Sequence, residues 1–199
     1  MFMQDAQAFS AAERITIAAG GAGVGPAGHM TGMLALTQVE TAAGWRAART
    51  LLPGMRVQTF DGGLATIRRV ERHALSDTSA AVMRIPGGAL NNCADLWLAG
   101  EQRLLLAGAP VEDLFDCAAI QVRACALTGF RGIAPAKGPV AGEIVSLTFD
   151  QDEAIFANTG SLLYFPAAPR ASFFPQPSER SLRLLLAGMD GGDAAHLLA

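Results

Sequence analysis

The stretch Asp95–Leu106 reads DLWLAGEQRLLL and carries the most information about the fold of this chain. Two short apolar runs, Asp95–Leu98 and Arg103–Ala107, lie on either side of the four residues Ala99-Gly100-Glu101-Gln102. Short apolar runs bounded by turn residues are typical of β-strands. We expect these two strands to pair with each other and to bury Trp97 together with the leucines 104–106.

The rest of the chain has the same strand-like pattern. Short apolar or alternating runs are separated by turn signals about every 8–12 residues, which is typical of all-β proteins. Pro53-Gly54 and Asp61-Gly62 are strong turn signals, because proline fixes φ and glycine accepts a positive φ. The sequence therefore predicts a mostly β fold with further strands at Thr37–Thr41, Arg56–Phe60, Leu64–Val70, Ala80–Ile85, Gly142–Phe149, Glu153–Ala157 and Leu162–Phe165.

Two segments have helical signals. Val111–Ala119 is a candidate short helix. Ser178–Ala187 follows a proline, begins with a capping serine and precedes Gly188, which are the expected ends of a helix. The leucines of this C-terminal helix form one face, which we expect to pack on the β domain or on a partner.

Composition limits the class of protein. A chain of 199 residues fits one domain with tails, and 51% hydrophobic residues are ample for a core. The net charge of -3 argues against nucleic-acid binding, which needs a basic patch. The densest basic cluster is explained by a solvated strand face, and its members are Arg68, Arg69, Arg72 and Arg84.

The three cysteines form no C-x-x-C pair, and the odd count fits reduced thiols. The three histidines are far apart, so we expect neither a metal nor a cofactor. No stretch is apolar enough to span a membrane, and residues 1–31 are a poor signal peptide. These features predict a cytoplasmic protein, or one secreted without an N-terminal signal peptide, and leave the oligomeric state open.

The N-terminal segment contains a G-x-G-x-x-G pattern at Gly23–Gly28, which is one feature of dinucleotide-binding units. Glu40 would then contact the ribose. Only 11 residues separate Gly28 from Glu40, which is too few for the crossover helix and second strand of a unit of about 30 residues. No Lys-Ser/Thr follows the glycines either, which excludes a P-loop. We therefore interpret residues 1–31 as a Gly/Ala-rich linker.

The frame D-L-W-L-x-x-x-x-R-L-L-L resembles the middle motif of bacterial Hint domains, the Hedgehog/intein self-processing family. In that family the four central positions usually read Ser/Thr-Pro-x-His, and the hydroxyl and imidazole polarise the peptide bond that rearranges. Ala99 and Gln102 stand at the Ser/Thr and His positions here. The resemblance thus implies a degenerate member of the family.

Other motifs extend the resemblance from Gly32 to Pro166. Leu51–Gly63 matches the family pattern L-x-P-G-D-x-V-x-T-x-D-G-G except at Met55. The position of the nucleophile, a cysteine in the family, is occupied by Gly32. Near the end of the domain, Asp152 stands where the family often has a histidine. The resemblance implies three segments: the N-terminal segment 1–31, a Hint-like domain 32–166 and a C-terminal linker and helix 167–199.

The resemblance also implies a Hint-like, twisted and partly closed sheet that descends from an autoprocessing domain. Self-processing begins with an N–S or N–O acyl shift, which needs a side-chain nucleophile. Since Gly32 has no side chain, we expect a non-catalytic interaction or structural module with a protein as its partner. The alternative is an active self-cleaving domain with Thr31 as its nucleophile, and Cys93 is a further candidate thiol. A small-molecule enzyme would need an acid–base or nucleophile cluster that the sequence does not offer.

Overall fold

The computed structural model describes residues 30–75, 82–138, 140–167 and 172–191. Within these ranges the chain forms fourteen strands and two α-helices. The strands are β1 Met33–Leu34, β2 Gln38–Thr41, β3 Gly44–Ala47, β4 Arg56–Gln58, β5 Leu64–Thr66, β6 Arg69–Ala74, β7 Val82–Ile85, β8 Leu96–Ala99, β9 Arg103–Ala107, β10 Ala119–Arg123, β11 Ala134–Pro135, β12 Glu143–Thr148, β13 Glu153–Ala157 and β14 Ser161–Phe165. The helices are α1 Ala109–Phe115 and α2 Glu179–Met189. The mostly β fold with a short C-terminal helix is confirmed.

The strands form two antiparallel sheets. The first has six strands in the order β11-β7-β8-β1-β12-β6, and the second has the order β10-β9-β14-β13-β2-β4-β5, with β3 paired to β2. Both sheets contribute to one large hydrophobic core. The chain changes sheet between β5 and β6: Ile67 donates its N–H to Met55, which precedes β4 of the second sheet, and Arg68 donates to Thr148 of β12 in the first. The single strand predicted at Leu64–Val70 is for this reason two strands.

The predicted pairing of the two strands around Ala99–Gln102 is wrong. β8 pairs with β7 and β1 of the first sheet, whereas β9 pairs with β10 and β14 of the second. The connection itself is a tight turn, in which the Gln102 N–H donates to the Ala99 carbonyl at 2.9 Å. The carbonyls of Gly100 and Gln102 then accept N–H groups from the 3-10 turn Ala124–Leu127. Hydrogen bonds from this 3-10 turn thus hold the connection in place, and the chain passes through it from the first sheet into the second.

The expected burial of Trp97 is also wrong. Leu96 and Leu98 are fully buried, while Trp97 lies between them on the other face of β8 and is half-buried. Successive side chains of a strand point to opposite faces, so the two leucines place the indole away from the core. The burial predicted for residues 104–106 is confirmed.

The helices differ from the prediction at their ends. α1 begins and ends earlier than predicted, because Asp116 adopts a left-handed conformation and Ala119 already belongs to β10. α2 begins as predicted, with the Ser178 side chain accepting the N–H of Ser181, but it continues through Gly188. Leu182 and Leu185 of α2 join the core, so the helix packs on the β domain itself.

The four clustered arginines each lie beside a carboxylate. The pairs are Arg68–Asp150, Arg69–Glu71, Arg72–Glu143 and Arg84–Asp95. The three cysteines are free thiols. Among the described residues no helix is long and apolar enough to cross a membrane, and no group of three or more potential metal ligands converges. The predictions for residues 1–29 lie outside the described residues.

Candidate functional site

Gly32, at the family's nucleophile position, lies in a space with no room for a side chain. It is buried and has a φ of +127°, a backbone conformation that side chains other than glycine rarely adopt. A Cβ atom on this residue would lie 2.5 Å from the carbonyl oxygen of Val145 and 2.7 Å from Cγ2 of Ile144. The atoms of β12 therefore occupy the place where a nucleophilic side chain would begin.

Gly32 and Ala99 are brought together by the pairing of β1 with β8. The Ala99 N–H donates to the Gly32 carbonyl oxygen at 3.0 Å, and the register places Met33 opposite Leu98. Ala99 is fully buried and offers only a methyl group. The two positions that would supply the nucleophile and the hydroxyl are thus adjacent, and they interact through backbone atoms.

Thr31 precedes this contact and is exposed. Its hydroxyl lies 3.4 Å from the hydroxyl of Ser146 on β12. A serine hydroxyl is a weak acid and is not a general base near neutral pH. Thr31 therefore lies in the right part of the chain for a nucleophile, but this contact does not activate it.

Gln102, at the family's histidine position, is buried and has a structural role. Its Nε2 donates to the backbone carbonyl of Arg103 at 2.7 Å and to that of Tyr164 on β14 at 3.0 Å. Its Oε1 has no hydrogen-bond partner among the described residues. A carboxamide does not exchange a proton near neutral pH, so Gln102 cannot act as the general acid that an imidazole would provide.

Asp152 lies just before β13 in the second sheet, and its carboxylate binds two donors. Oδ2 accepts the hydroxyl of Tyr164 at 2.6 Å, and Oδ1 accepts the N–H of Ala167 at 2.8 Å. Burial, followed by the hydrogen bond to Asp152, raises the pKa of the Tyr164 phenol. Because Tyr164 also accepts a hydrogen bond from Gln102 at its backbone carbonyl, it links the positions Gln102 and Asp152.

The neighbouring Glu153 is a buried carboxylate. Burial, more than any other cause, raises its pKa, and the nearby charges of Asp61 and Asp152 act in the same direction. A hydrogen bond from the side chain of Gln151, at 3.2 Å, opposes this effect. The folded protein therefore holds a proton on Glu153 up to a higher pH than the unfolded chain does.

This shift predicts how stability depends on pH. Between the unfolded value, about 4.3 for glutamate, and the raised folded pKa, the native state binds more protons than the unfolded state. Stability contributed by Glu153 is therefore present at low pH and is lost as the pH rises through this window. We expect the free energy of unfolding of Glu153→Gln, measured by urea denaturation, to equal that of the wild type at pH 4 and to exceed it at pH 7. An equal gain in stability at pH 4 and pH 7 would show that the charge of the Glu153 carboxylate is not the cause.

Two buried asparagines near the segment 99–102 were not identified from the sequence. Asn92, in the loop between β7 and β8, donates to the carbonyls of Pro86 and Ala94 and accepts the N–H of Leu90. Asn158, after β13, accepts the N–H of Gln38 and donates to the carbonyl of Asp95. The hydrogen bonds of both side chains hold the backbone of the loop that precedes β8 in place. Cys93 lies in that loop and is exposed, with its N–H donated to the Asn158 carbonyl.

Comparisons with known proteins agree with this architecture. The family model described as "Hint domain" matches residues 31–162, which is more than half of the chain. A bacterial intein-like domain from Clostridium thermocellum, solved in solution, has a similar fold, with a TM-score of 0.50 at 11% identity. The alignment covers 68% of this chain and 99% of that domain.

Two inteins are more distant in structure. A DnaB intein from Synechocystis has a TM-score of 0.45 at 11% identity, covering 68% of this chain and 99% of the intein. An inactive variant of the AceL NrdHF class 3 split intein has a TM-score of 0.46 at 11% identity, covering 69% and 98%. No match was found among curated protein sequences. The matched family model, which spans Gly32, Ala99 and Gln102, shows that this chain belongs to the Hint domain family.

Proposed function

We propose that this chain is a Hint domain without self-processing activity, which serves as an interaction or structural module. The observation that carries the proposal is the closed space around Gly32. An acyl shift requires a side-chain oxygen or sulfur that attacks the preceding carbonyl. The contacts of 2.5 and 2.7 Å that a Cβ would make with Val145 and Ile144 leave no place for such a group.

The surrounding residues support the same proposal. Departure of the amide nitrogen needs a proton donor, and general acid–base catalysis contributes about 10²–10⁴-fold to rates. Gln102 cannot transfer a proton, and its amide nitrogen is bound to two carbonyls. Ala99 has no hydroxyl to stabilise an oxyanion. Because the nucleophile, the acid and the hydroxyl are all replaced, residual activity is not expected.

The proposal is tested by the intact mass of the purified protein. We expect the full-length mass after expression and after long incubation with dithiothreitol or hydroxylamine, which intercept thioester and ester intermediates. The physical reason is that no acyl intermediate can form at a glycine. Mass spectrometry over several days at neutral pH provides the measurement.

Variants separate the possible sources of a fragment. A product that begins at Thr31 or Gly32, and that disappears in Thr31→Ala, would make Thr31 a nucleophile and overturn the proposal. A fragment that persists in Thr31→Ala and is blocked by protease inhibitors would come from a contaminating protease. Cys93→Ser is the matched control for the exposed thiol of the neighbouring loop, and we expect it to leave the mass pattern unchanged.

A further inference from the structure

A cavity of about 430 Å³ lies between the end of β10, the 3-10 turn Ala124–Leu127 and the first turns of α2. This volume falls in the range of small-molecule sites, about 300–1,000 Å³. The cavity is not lined by any of the family motif positions Gly32, Ala99, Gln102 and Asp152. Five of its lining side chains are apolar, and Val122, Leu182 and Leu186 are the largest of them. Its polar wall includes Arg123, Arg183, Cys125 and the carboxylate of Glu179.

The cavity opens onto the free edge of β10. The Gln121 N–H points away from β9, because it donates to the carbonyl of Pro175 at 3.0 Å. Backbone groups two residues apart on a strand point to the same side, so the Arg123 N–H also faces this edge. Pro175 and Pro177, in the segment that runs along the edge, have no N–H of their own. The hydrogen bonds of the described residues include no acceptor for the Arg123 N–H on that side.

Arg123 and Arg183 each have N–H groups that are not used in their contacts with carboxylates. Nη1 of Arg123 lies 3.2 Å from Oε2 of Glu101, and Nη2 of Arg183 binds Glu179 one helical turn away. A guanidinium has five N–H donors, and these contacts use one nitrogen of each. The thiol of Cys125 also points to Glu101, at 3.7 Å. The unused N–H groups of the two guanidinium groups suit a ligand with acceptor oxygens.

We propose that this cavity binds an amphipathic carboxylate, with the carboxylate group at Arg123 and Arg183 and the apolar part on Val122, Leu182 and Leu186. Charge-assisted hydrogen bonds to guanidinium groups are among the strongest that proteins form. A free medium-chain acid and the C-terminus of a peptide with an apolar last residue share this chemistry. The site does not depend on whether the domain cleaves itself, since Gly32, Ala99, Gln102 and Asp152 do not line it.

The three cysteines allow the site to be tested on the full chain. Iodoacetamide alkylates Cys125 in the cavity wall and Cys93 on the surface, and peptide mass spectrometry measures each rate. Octanoate at twice its dissociation constant is expected to slow alkylation of Cys125 about threefold relative to Cys93. 1-Octanol at the same concentration lacks the carboxylate and is expected to have no such effect. N-acetyl-leucylleucine and its C-terminal amide, compared in the same way, distinguish a peptide terminus from a free acid.

Variants and a second measurement decide the outcome. Arg183→Gln is expected to abolish protection by octanoate. Arg180→Gln, the same change at an exposed arginine of the same helix that does not line the cavity, is expected to keep it. Calorimetric titration of octanoate into the unmodified protein tests binding without relying on the thiol. Protection by octanol equal to that by octanoate, no effect of Arg183→Gln, or no heat of binding at millimolar octanoate would each overturn the proposal.

Discussion

Replacing Gly32 with alanine is expected to lower the free energy of unfolding by about 4 kcal/mol, the sum of a strained positive φ and of overpacking. The φ of +127° is unfavourable for alanine, and the added Cβ would lie 2.5 Å from the Val145 carbonyl oxygen. That oxygen belongs to the backbone of β12, which is paired on both sides, with β1 and β6, and cannot move alone. Urea denaturation followed by circular dichroism provides the measurement.

Gly44→Ala is the matched control for this variant. Gly44 also has a positive φ, of +92°, but a Cβ there would meet no atom within 4 Å. We expect a loss of about 1–2 kcal/mol, from backbone strain alone. Equal losses in the two variants would show that β12 yields to the added atom, and the argument for a closed nucleophile position would then fail. By the same reasoning, Gly32→Cys is expected to lose stability without gaining cleavage.

Asn92→Ala is expected to cost about 3 kcal/mol, because each buried polar group left without a partner costs about 1–3 kcal/mol. The Asn92 side chain is buried and binds the Leu90 N–H and the carbonyls of Pro86 and Ala94 at 2.8–3.0 Å. Its loss would leave the Leu90 N–H unpaired, would remove one donor from each of the two carbonyls, and would release the loop that precedes β8. The midpoint of urea denaturation, with an unchanged slope, measures the effect.

The adjacent Asn91 provides the control. It is exposed, has a φ of +61°, and its side chain makes none of the hydrogen bonds found among the described residues. Asn91→Gly keeps the left-handed backbone accessible, so we expect a change within about 0.5 kcal/mol, as for most surface substitutions. A large loss of stability in Asn91→Gly, or none in Asn92→Ala, would mean that the buried Asn92 side chain does not hold the loop in place.

These two asparagines illustrate what sequence reasoning misses. They are neighbours in an irregular loop, and nothing in the pattern Asn-Asn-Cys distinguishes the buried residue from the exposed one. Burial at Asn92 results from its bridge to Thr159, sixty-seven residues further along the chain. Such a contact exists only after the two sheets have come together.

Local signals were sufficient for several elements. Arg103–Ala107 and Glu153–Ala157 are strands with the predicted bounds, and the capping serine placed the start of α2 correctly. Period-two alternation and helix capping act within a few residues of the chain, so they can be read without the fold. β10 was missed because its apolar residues continue directly from the predicted helix Val111–Ala119.

The sequence by itself determined the family, the mostly β class and which residues stand at the positions of the family motifs, because each depends on which residues occupy an ordered frame. It showed that Gly32 cannot attack a carbonyl. Only the tertiary structure decided that the nucleophile's place is filled by Val145 and Ile144, that β8 and β9 belong to different sheets, and that Trp97 faces away from the core. These outcomes depend on strand pairing between residues far apart in the chain. The pattern of a strand indicates which of its faces is buried but not which strand it pairs with.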